Sequence, residues 1–373
     1  MKIAIVHSEY RSENPSGENR AVRLQSESMS RSGHDVTLFL KNTDSESERP
    51  FYKVRSALRV AWGGGASFLG EIASLKPDIV HVHNIFPNLG WKWLAELDAP
   101  LVATLHNYRT VCAAGTAMLR GAACSLCQDQ GSYNAVVNSC YQGSALKTVP
   151  LAIQTRKPFL SNPLVDAAAG IVLLSRRMAD IFEPLQINKK KWEIIPNFVP
   201  ENPRKSTSKN GRWAWVGRIS GEKGLASLIS SWPENYFLDV FGDGPLRFEL
   251  ESQNTKNIQF FGEKTPEDLR SLIPSYQGIV ISSEWPETAV NLVHLEAMAA
   301  GLPVVARAGS TSADEVCSYG GGSVYDSPEE LKEAIEKWSV STGYSSAILD
   351  RFYSEFSEAA WQKKILQFYD GLL

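Results

Sequence analysis

Residues 212–245 read RWAWVGRISGEKGLASLISSWPENYFLDVFGDGP. The run Arg212 to Val216 is short, aromatic and β-branched, which predicts a strand. Gly217 to Gly224 follows as a loop, a helix begins after it, and Phe237 to Phe241 is a second strand ending in Gly242-Asp243-Gly244-Pro245. Strand, loop, helix and strand in that order open a βαβ unit, whose crossover imposes parallel pairing. Ile258 to Phe261, Gly278 to Ser282 and Pro303 to Ala306 are further strands, with a helix from about Ala289 to Ala300.

The first half of the chain has the same rhythm. Ile3 to His7 is a β-branched strand, Pro15-Ser16-Gly17 a loop, Glu18 to Arg31 a helical pattern, and Gly33 a helix-ending glycine. Val36 to Leu40, Ile79 to His83, Leu101 to Leu105 and Ile171 to Leu174 are strands. Alternation in both halves predicts two Rossmann-like parallel α/β domains. Pro196 to Asn210 is rich in proline and short polar residues, which is linker chemistry. The expected division is 1–198 and 199–352, with an aromatic-rich helix at about 353–373 crossing back onto the first domain.

A length of 373 residues suits two such cores, and 43% apolar with 21% charged residues excludes wholesale disorder. No run approaches the roughly 18 apolar residues of a spanning helix, and the opening MKIAIVHS is too short for a secretion signal. The expected location is cytoplasmic, with peripheral contact at the inner membrane face. Residues 1–200 carry 22 Lys/Arg against 17 Asp/Glu, and residues 201–373 carry 16 against 24. A basic first half suits an anionic partner surface, while a pI near 6.1 speaks against nucleic acid.

Open α/β sheets bind ligands at the carboxyl ends of their strands. A dinucleotide fingerprint is absent after the first strand, because only Gly17 is present and Leu40-Lys41 ends the second. The loop Gly217-Arg218-Ile219-Ser220-Gly221-Glu222-Lys223-Gly224 is more informative. Its glycines let backbone approach a ligand, and Arg218 and Lys223 bring two cations suited to a diphosphate. In Trp285-Pro286-Glu287-Thr288-Ala289-Val290-Asn291-Leu292, Thr288 is the expected N-cap. The amides of Ala289, Val290 and Asn291 would then face an anion. Glu296, about two turns in, would reach a hydroxylated group such as a ribose.

The run Leu295-Glu296-Ala297-Met298-Ala299-Ala300-Gly301-Leu302-Pro303-Val304-Val305 resembles the signature of glycosyltransferase family 4. So do Val216-Gly217-Arg218 with Glu222-Lys223-Gly224, Phe241-Gly242-Asp243-Gly244-Pro245, and Ser16-Gly17-Glu18. Asp78 to Asn84, Thr104-Leu105-His106-Asn107 and Ile195-Pro196-Asn197 fit the same pattern. The resemblance implies the GT-B architecture, two Rossmann-like domains facing across a cleft. It implies a retaining transferase that uses a nucleoside-diphosphate sugar, most often a uridine one, without a catalytic metal. Arg218 and Lys223 would neutralise the diphosphate, with Gly217 and residues Thr288, Ala289, Val290, Asn291 and Leu292 beside the donor. Glu296 would hold the ribose, Glu287 a donor-sugar hydroxyl, and Gly17 would lie near the diphosphate and sugar. His106 would sit beside the reacting sugar, and the first domain would carry a glycan, lipid-linked or small-molecule acceptor. One departure stands out. The family has seven residues between its two glutamates, whereas Glu287 and Glu296 have eight between them. Either the loop bulges by one residue or Thr288 replaces the first glutamate. A catalytically decayed nucleotide-sugar-binding or scaffold protein is the other reading this spacing supports.

Cys112, Cys124, Cys127 and Cys140 fall close together, and the Cys-x2-Cys pair is a common zinc unit. A structural zinc, buried free thiols or redox-labile pairs are the three readings, and Cys317 is expected to be buried. His81 and His83 share a strand face and are expected to be hydrogen-bonded structural residues. Arg109, Arg120, Lys147, Arg156 and Lys157 suit an acceptor pocket or a lipid surface. Trp91-Lys92-Trp93 and Lys189-Lys190-Lys191-Trp192 suit peripheral lipid contact.

Overall fold

The alternation of strands and helices builds two six-stranded parallel sheets in a computed structural model of the chain. The structure describes residues 1–12, 16–155, 162–183, 191–202, 210–253, 256–285, 287–340 and 345–373. Two units result: Met1–Pro196 together with Gln362–Leu373, and Asn197–Trp361.

The first unit contains β1 (Lys2–Glu9), β2 (Asp35–Asn42), β3 (Ile79–Asn84) and β4 (Leu101–Leu105). A short hairpin follows, β5 (Met118–Leu119) and β6 (Ala122–Ala123), and then β7 (Gly170–Leu173) and β8 (Lys191–Ile194). The sheet order is β2-β1-β3-β4-β7-β8. β3, β4 and β7 are buried along their whole length, because helices cover both faces of a parallel sheet. Chain direction across the sheet reverses between β1 and β3, so ligand chemistry is expected beyond their carboxyl ends. The helix Gly17–Arg31 starts there, immediately after the β1 loop.

The second unit contains β9 (Arg212–Val216), β10 (Phe237–Phe241), β11 (Ile258–Gly262), β12 (Ile279–Ile281), β13 (Val304–Arg307) and β14 (Gly322–Tyr325). Their order is β11-β10-β9-β12-β13-β14, with the reversal between β9 and β12. Strand alternation sorts the core into two layers. Trp213 and Trp215 pack with Leu238, Val240 and Ile335 on one face, and Ala214 with Ile279, Leu302 and Val304 on the other.

Four strands escape the sequence reading: the two-residue hairpin strands β5 and β6, too short to show a pattern, and the sheet strands β8 and β14. β8 and β14 are sheet edges, half exposed, and lack the apolar run that marks a central strand. The helix expected from about Ala289 begins at Leu292 instead. The C-terminal segment forms two helices, Ser346–Glu355 and Glu358–Asp370. Only Gln362 onward belongs to the first unit, where Phe368 and Tyr369 are buried. Trp361 packs on Phe198 within the second unit, ring centroids 4.9 Å apart.

Candidate active site

In the second unit the loops after β9 and β12 meet at the reversal point. A backbone lattice holds the first of them. Gly217 N donates to Phe241 O at 3.0 Å, and Ile219 N to Asp243 O at 2.9 Å. Gly242 and Gly244 allow this contact. A Cβ on Gly242 would lie 1.9 Å from Gly217 O, and one on Gly244 2.4 Å from Ile219 O, both immovable backbone atoms. Gly224, at φ +66°, leaves room for Ser282 O, which would be 2.0 Å from a Cβ. Ser282 Oγ then donates to Lys223 O at 2.8 Å and accepts from Trp215 Nε1 at 2.9 Å.

This framework aims Lys223 at Glu287. Its Nζ lies 2.6 Å from Glu287 Oε1, and Ser283 Oγ donates to the same oxygen at 3.1 Å. The Glu287 side chain is buried, and its Oε2 has no hydrogen-bond partner among the described residues. An ammonium has three donors. One engaged by Glu287 leaves two for an incoming anion. Arg218 is exposed on the same loop. Glu287, not Thr288, is the group that meets Lys223, and Thr288 is half buried outside the helix.

The helix start differs from expectation. Asn291 is the N-cap, its Oδ1 accepting from Val293 N at 3.0 Å, so Leu292 is the first helical residue. Thr288 does not cap, and Ala289, Val290 and Asn291 lie before the helix. The N-terminal amides are those of Leu292, Val293 and His294. Glu296 is buried little more than one turn in. His294 is buried beside it in sequence, and burial lowers its pKa to about 3.

In the first unit a buried polar group gathers at the carboxyl ends of β1, β3 and β4. His7 Nε2 meets Asn19 Oδ1 at 2.9 Å, and its Nδ1 lies 4.0 Å from Glu18 Oε1. Neither of those two facing atoms has a hydrogen-bond partner among the described residues. Burial raises the Glu18 pKa to about 8, against the opposing pull of Arg109, Asn107 and Asn84. Burial likewise lowers His7 to about 4. His83 Nδ1 is 2.9 Å from His106 Nε2, and burial holds both rings neutral. His81 is a structural residue, bonded to Tyr369 OH at 2.6 Å and Thr104 Oγ1 at 2.7 Å. Gly17 is exposed at the first turn of its helix. Arg109 stacks over Phe86 at 4.0 Å. Of these residues the sequence reading gave a role only to Arg109, placed with an acceptor pocket or a lipid surface, and none to His7, Glu18 or Asn84. Glu18 and Asn84 stand inside the quoted motifs Ser16-Gly17-Glu18 and Asp78 to Asn84, which were the available signals.

A profile for Glycosyltransferase Family 4 matches residues 15–202, more than half of the chain, and one for Glycosyl transferases group 1 matches residues 200–348. The chain belongs to glycosyltransferase family 4. No curated protein matches it in sequence. Among solved structures, this family 4 chain is similar to the sucrose-phosphate synthase of Thermosynechococcus elongatus. That likeness has 17% identity and a TM-score of 0.70, covering 100% of this chain and 98% of that one. It is also similar to Anabaena Alr3699/HepE in complex with UDP, at 16% identity and a TM-score of 0.63, covering 100% of both chains. A glycosyltransferase from Rickettsia africae gives 15% identity and a TM-score of 0.65, covering 100% and 98%. At such identities the likeness carries the fold alone, and that fold is GT-B. The family 4 chain is accordingly a nucleotide-sugar glycosyltransferase.

Several surface expectations change in this glycosyltransferase. Trp93 is buried, and Trp91 is half buried with Nε1 donating to Val60 O at 3.2 Å, so this pair serves the core rather than a membrane. Lys191 lies over the Phe368 ring at 5.4 Å. Lys189, Lys190, Arg156, Lys157, Pro15 and Pro286 lie outside the described residues. Cys317 is exposed on the outer face of the helix Thr311–Tyr319, contrary to expectation. Cys112, Cys124, Cys127 and Cys140 are half buried and free. Burial, then the nearness of the other three thiols, pushes the Cys127 thiol up to about 11. As placed, however, no three His, Cys, Asp or Glu side chains among the described residues are arranged to hold a metal ion. The thiol donors suit zinc, and their placement among the described residues does not.

Proposed function

We propose that the chain transfers a glycosyl group from a uridine-diphosphate sugar to an acceptor hydroxyl, with retention of anomeric configuration and without a catalytic metal. The observation that carries this reading is Lys223 held 2.6 Å from Glu287 on the loops that meet at the β9/β12 reversal. A cation fixed at that point is suited to a diphosphate, whose charge grows as it departs. Arg218, exposed on the same loop, supplies the second positive charge. The amides of Leu292 and His294 add partial charge from the helix end, Val293 N being taken by the Asn291 cap. Glu296 holds the ribose and Glu287 a donor-sugar hydroxyl through its second oxygen. The uridine choice is supported by the Anabaena protein, whose structures hold UDP, and UDP with glucose.

In the reaction the bond from the anomeric carbon to the diphosphate oxygen breaks, and a bond to the acceptor oxygen forms on the same face. The acceptor proton passes to the departing diphosphate. No side chain is then required as general base. The neutral His83–His106 pair and protonated Glu18 form the polar wall of the first unit that would receive the acceptor.

The test is thermal-shift binding of nucleoside diphosphates and their sugars with and without magnesium, followed by the anomeric coupling constant of the product. A magnesium-independent shift with UDP and a product of unchanged configuration are expected. No shift with any nucleotide, or an inverted product, would sink the reading.

A further inference from the structure

Apolar side chains exposed to solvent are concentrated on one part of the first unit. Phe51, Val54, Leu58 and Trp62 follow one another at helical spacing along the helix Tyr52–Trp62 and the residue before it. They are 80%, 58%, 48% and 57% exposed, so the stripe is wholly outward. The opposite face of the same helix is fully committed. Tyr52 OH donates to Asn88 Oδ1 at 2.9 Å, Ser56 Oγ to Pro87 O at 3.2 Å, and Arg59 to Asn88 O at 2.7 Å. The helix Ala145–Gln154 packs alongside and adds Leu146, 83% exposed, and Val149.

The charges around this face have one sign. Lys53, Arg55 and Lys147 are exposed on the two helices, and residues 51–62 and 145–154 contain no Asp or Glu. The nearest acid in the chain before the first helix is exposed Glu48. An apolar stripe with an aromatic at each end, flanked by cations, is the chemistry of a helix lying in a bilayer interface. Aromatic rings seat at headgroup depth, and cations meet anionic lipid. From Phe51 to Trp62 the stripe runs roughly 16 Å at about 1.5 Å per residue, long enough to lie flat on a surface.

We infer that this face docks the chain on an anionic phospholipid surface. Its location connects it to the site. Asn88, held by the inner side of the helix, also donates to Ser8 Oγ at 3.1 Å, one residue from His7. Docking therefore sets the acceptor-side loops of the first unit at the lipid surface, where a lipid-linked acceptor hydroxyl would arrive. That last step rests on the proposed function, whereas the docking itself does not.

Flotation of the full chain with vesicles tests it independently of turnover. The chain should float with phosphatidylglycerol–phosphatidylcholine vesicles and not with phosphatidylcholine alone, and at least half of the bound fraction should be released at high salt. The double variants Phe51→Ser/Trp62→Ser and Lys53→Glu/Arg55→Glu should each lose about ten-fold or more in partitioning. Both should keep the wild-type melting temperature and UDP shift. Phe248→Ser, which removes a side chain 87% exposed in the second unit, should float like wild type. Absence of binding to anionic vesicles, or binding unchanged in both double variants, would overturn the inference. So would a dimer that the Phe51→Ser/Trp62→Ser change dissolves while vesicle binding persists. Vesicle binding without any UDP shift would sink the proposed function and leave the docking face standing.

Discussion

Glu18 is a carboxyl that its surroundings keep protonated near neutrality. Burial raises it to about 8, and the charge of Arg109 with the amides of Asn107 and Asn84 only partly offsets this. An unfolded glutamate titrates near 4.5. The folded state therefore holds more protons between these values, and stability falls as pH rises through that window. The contribution is fully present below about 4.5 and gone above about 8. His7 has the opposite sense, lowered to about 4, and its contribution is constant above its ordinary value of 6.5. Melting curves from pH 6.5 to 8 thus report on Glu18, below the range near 9 where the raised Cys127 thiol adds a decline of the same sign. Glu18→Gln should flatten the wild-type decline there, and parallel curves for the two proteins would refute the assignment. Lys223 makes a second prediction at this scale. Lys223→Ala removes a cation that serves the departing diphosphate, and kcat should fall by roughly 10²–10³. Near-normal kcat in that variant, with donor bound normally, would dismiss Lys223 from the chemistry.

At the scale of elements, the start of the helix Leu292–Ala299 is the informative case. Both Thr288 and Asn291 are residues that cap helices, so local sequence admits either. The structure chooses Asn291, whose Oδ1 accepts from Val293 N, and leaves Glu287 to Val290 as loop. Asn291→Ala should cost about 1 kcal/mol in urea unfolding of the second unit, with Asn291→Asp retaining most of it. Thr288→Ala should cost less, and the reverse ranking would refute the cap. Glu287 and the three residues after it lie outside the helix, so a one-residue bulge there would leave Glu296 on its buried face. Central strands such as Leu101–Leu105, Arg212–Val216 and Phe237–Phe241 were legible to the residue, because burial on both sides demands apolar runs. The edge strands β8 and β14 were not, since half their surface is solvated. Arg218 and Lys223 stood out from loop composition, whereas Glu287 was named only through the family resemblance. Glu18 did not stand out, because an acid in a first helical turn ordinarily reads as a dipole partner in water.

At the scale of the whole molecule, the first unit is completed by residues from the far end of the chain. His81 and Tyr369 are separated by 288 positions, and no local pattern could have paired them. Periodicity marked the last helix as apolar, but which core it served was a matter of tertiary contact. His81 is buried and neutral, its pKa lowered by burial to about 3, so one ring nitrogen must accept and the other donate. Tyr369 OH is the partner of Nδ1 and Thr104 Oγ1 the partner of Nε2, one hydroxyl donating and the other accepting. His81 also stacks on His83 at 4.1 Å, and His83 meets His106, so the terminal helix supports the polar wall of the site. Tyr369→Phe keeps the packing volume but leaves Nδ1 without its hydrogen-bond partner in a dry core. Such an unsatisfied group costs about 1–3 kcal/mol. The first unit of the variant should unfold at correspondingly lower urea, while the UDP-induced thermal shift, carried by the second unit, should persist. A variant as stable as wild type would mean that burial of Phe368 and Tyr369 alone retains the segment, with the hydrogen bond contributing nothing net.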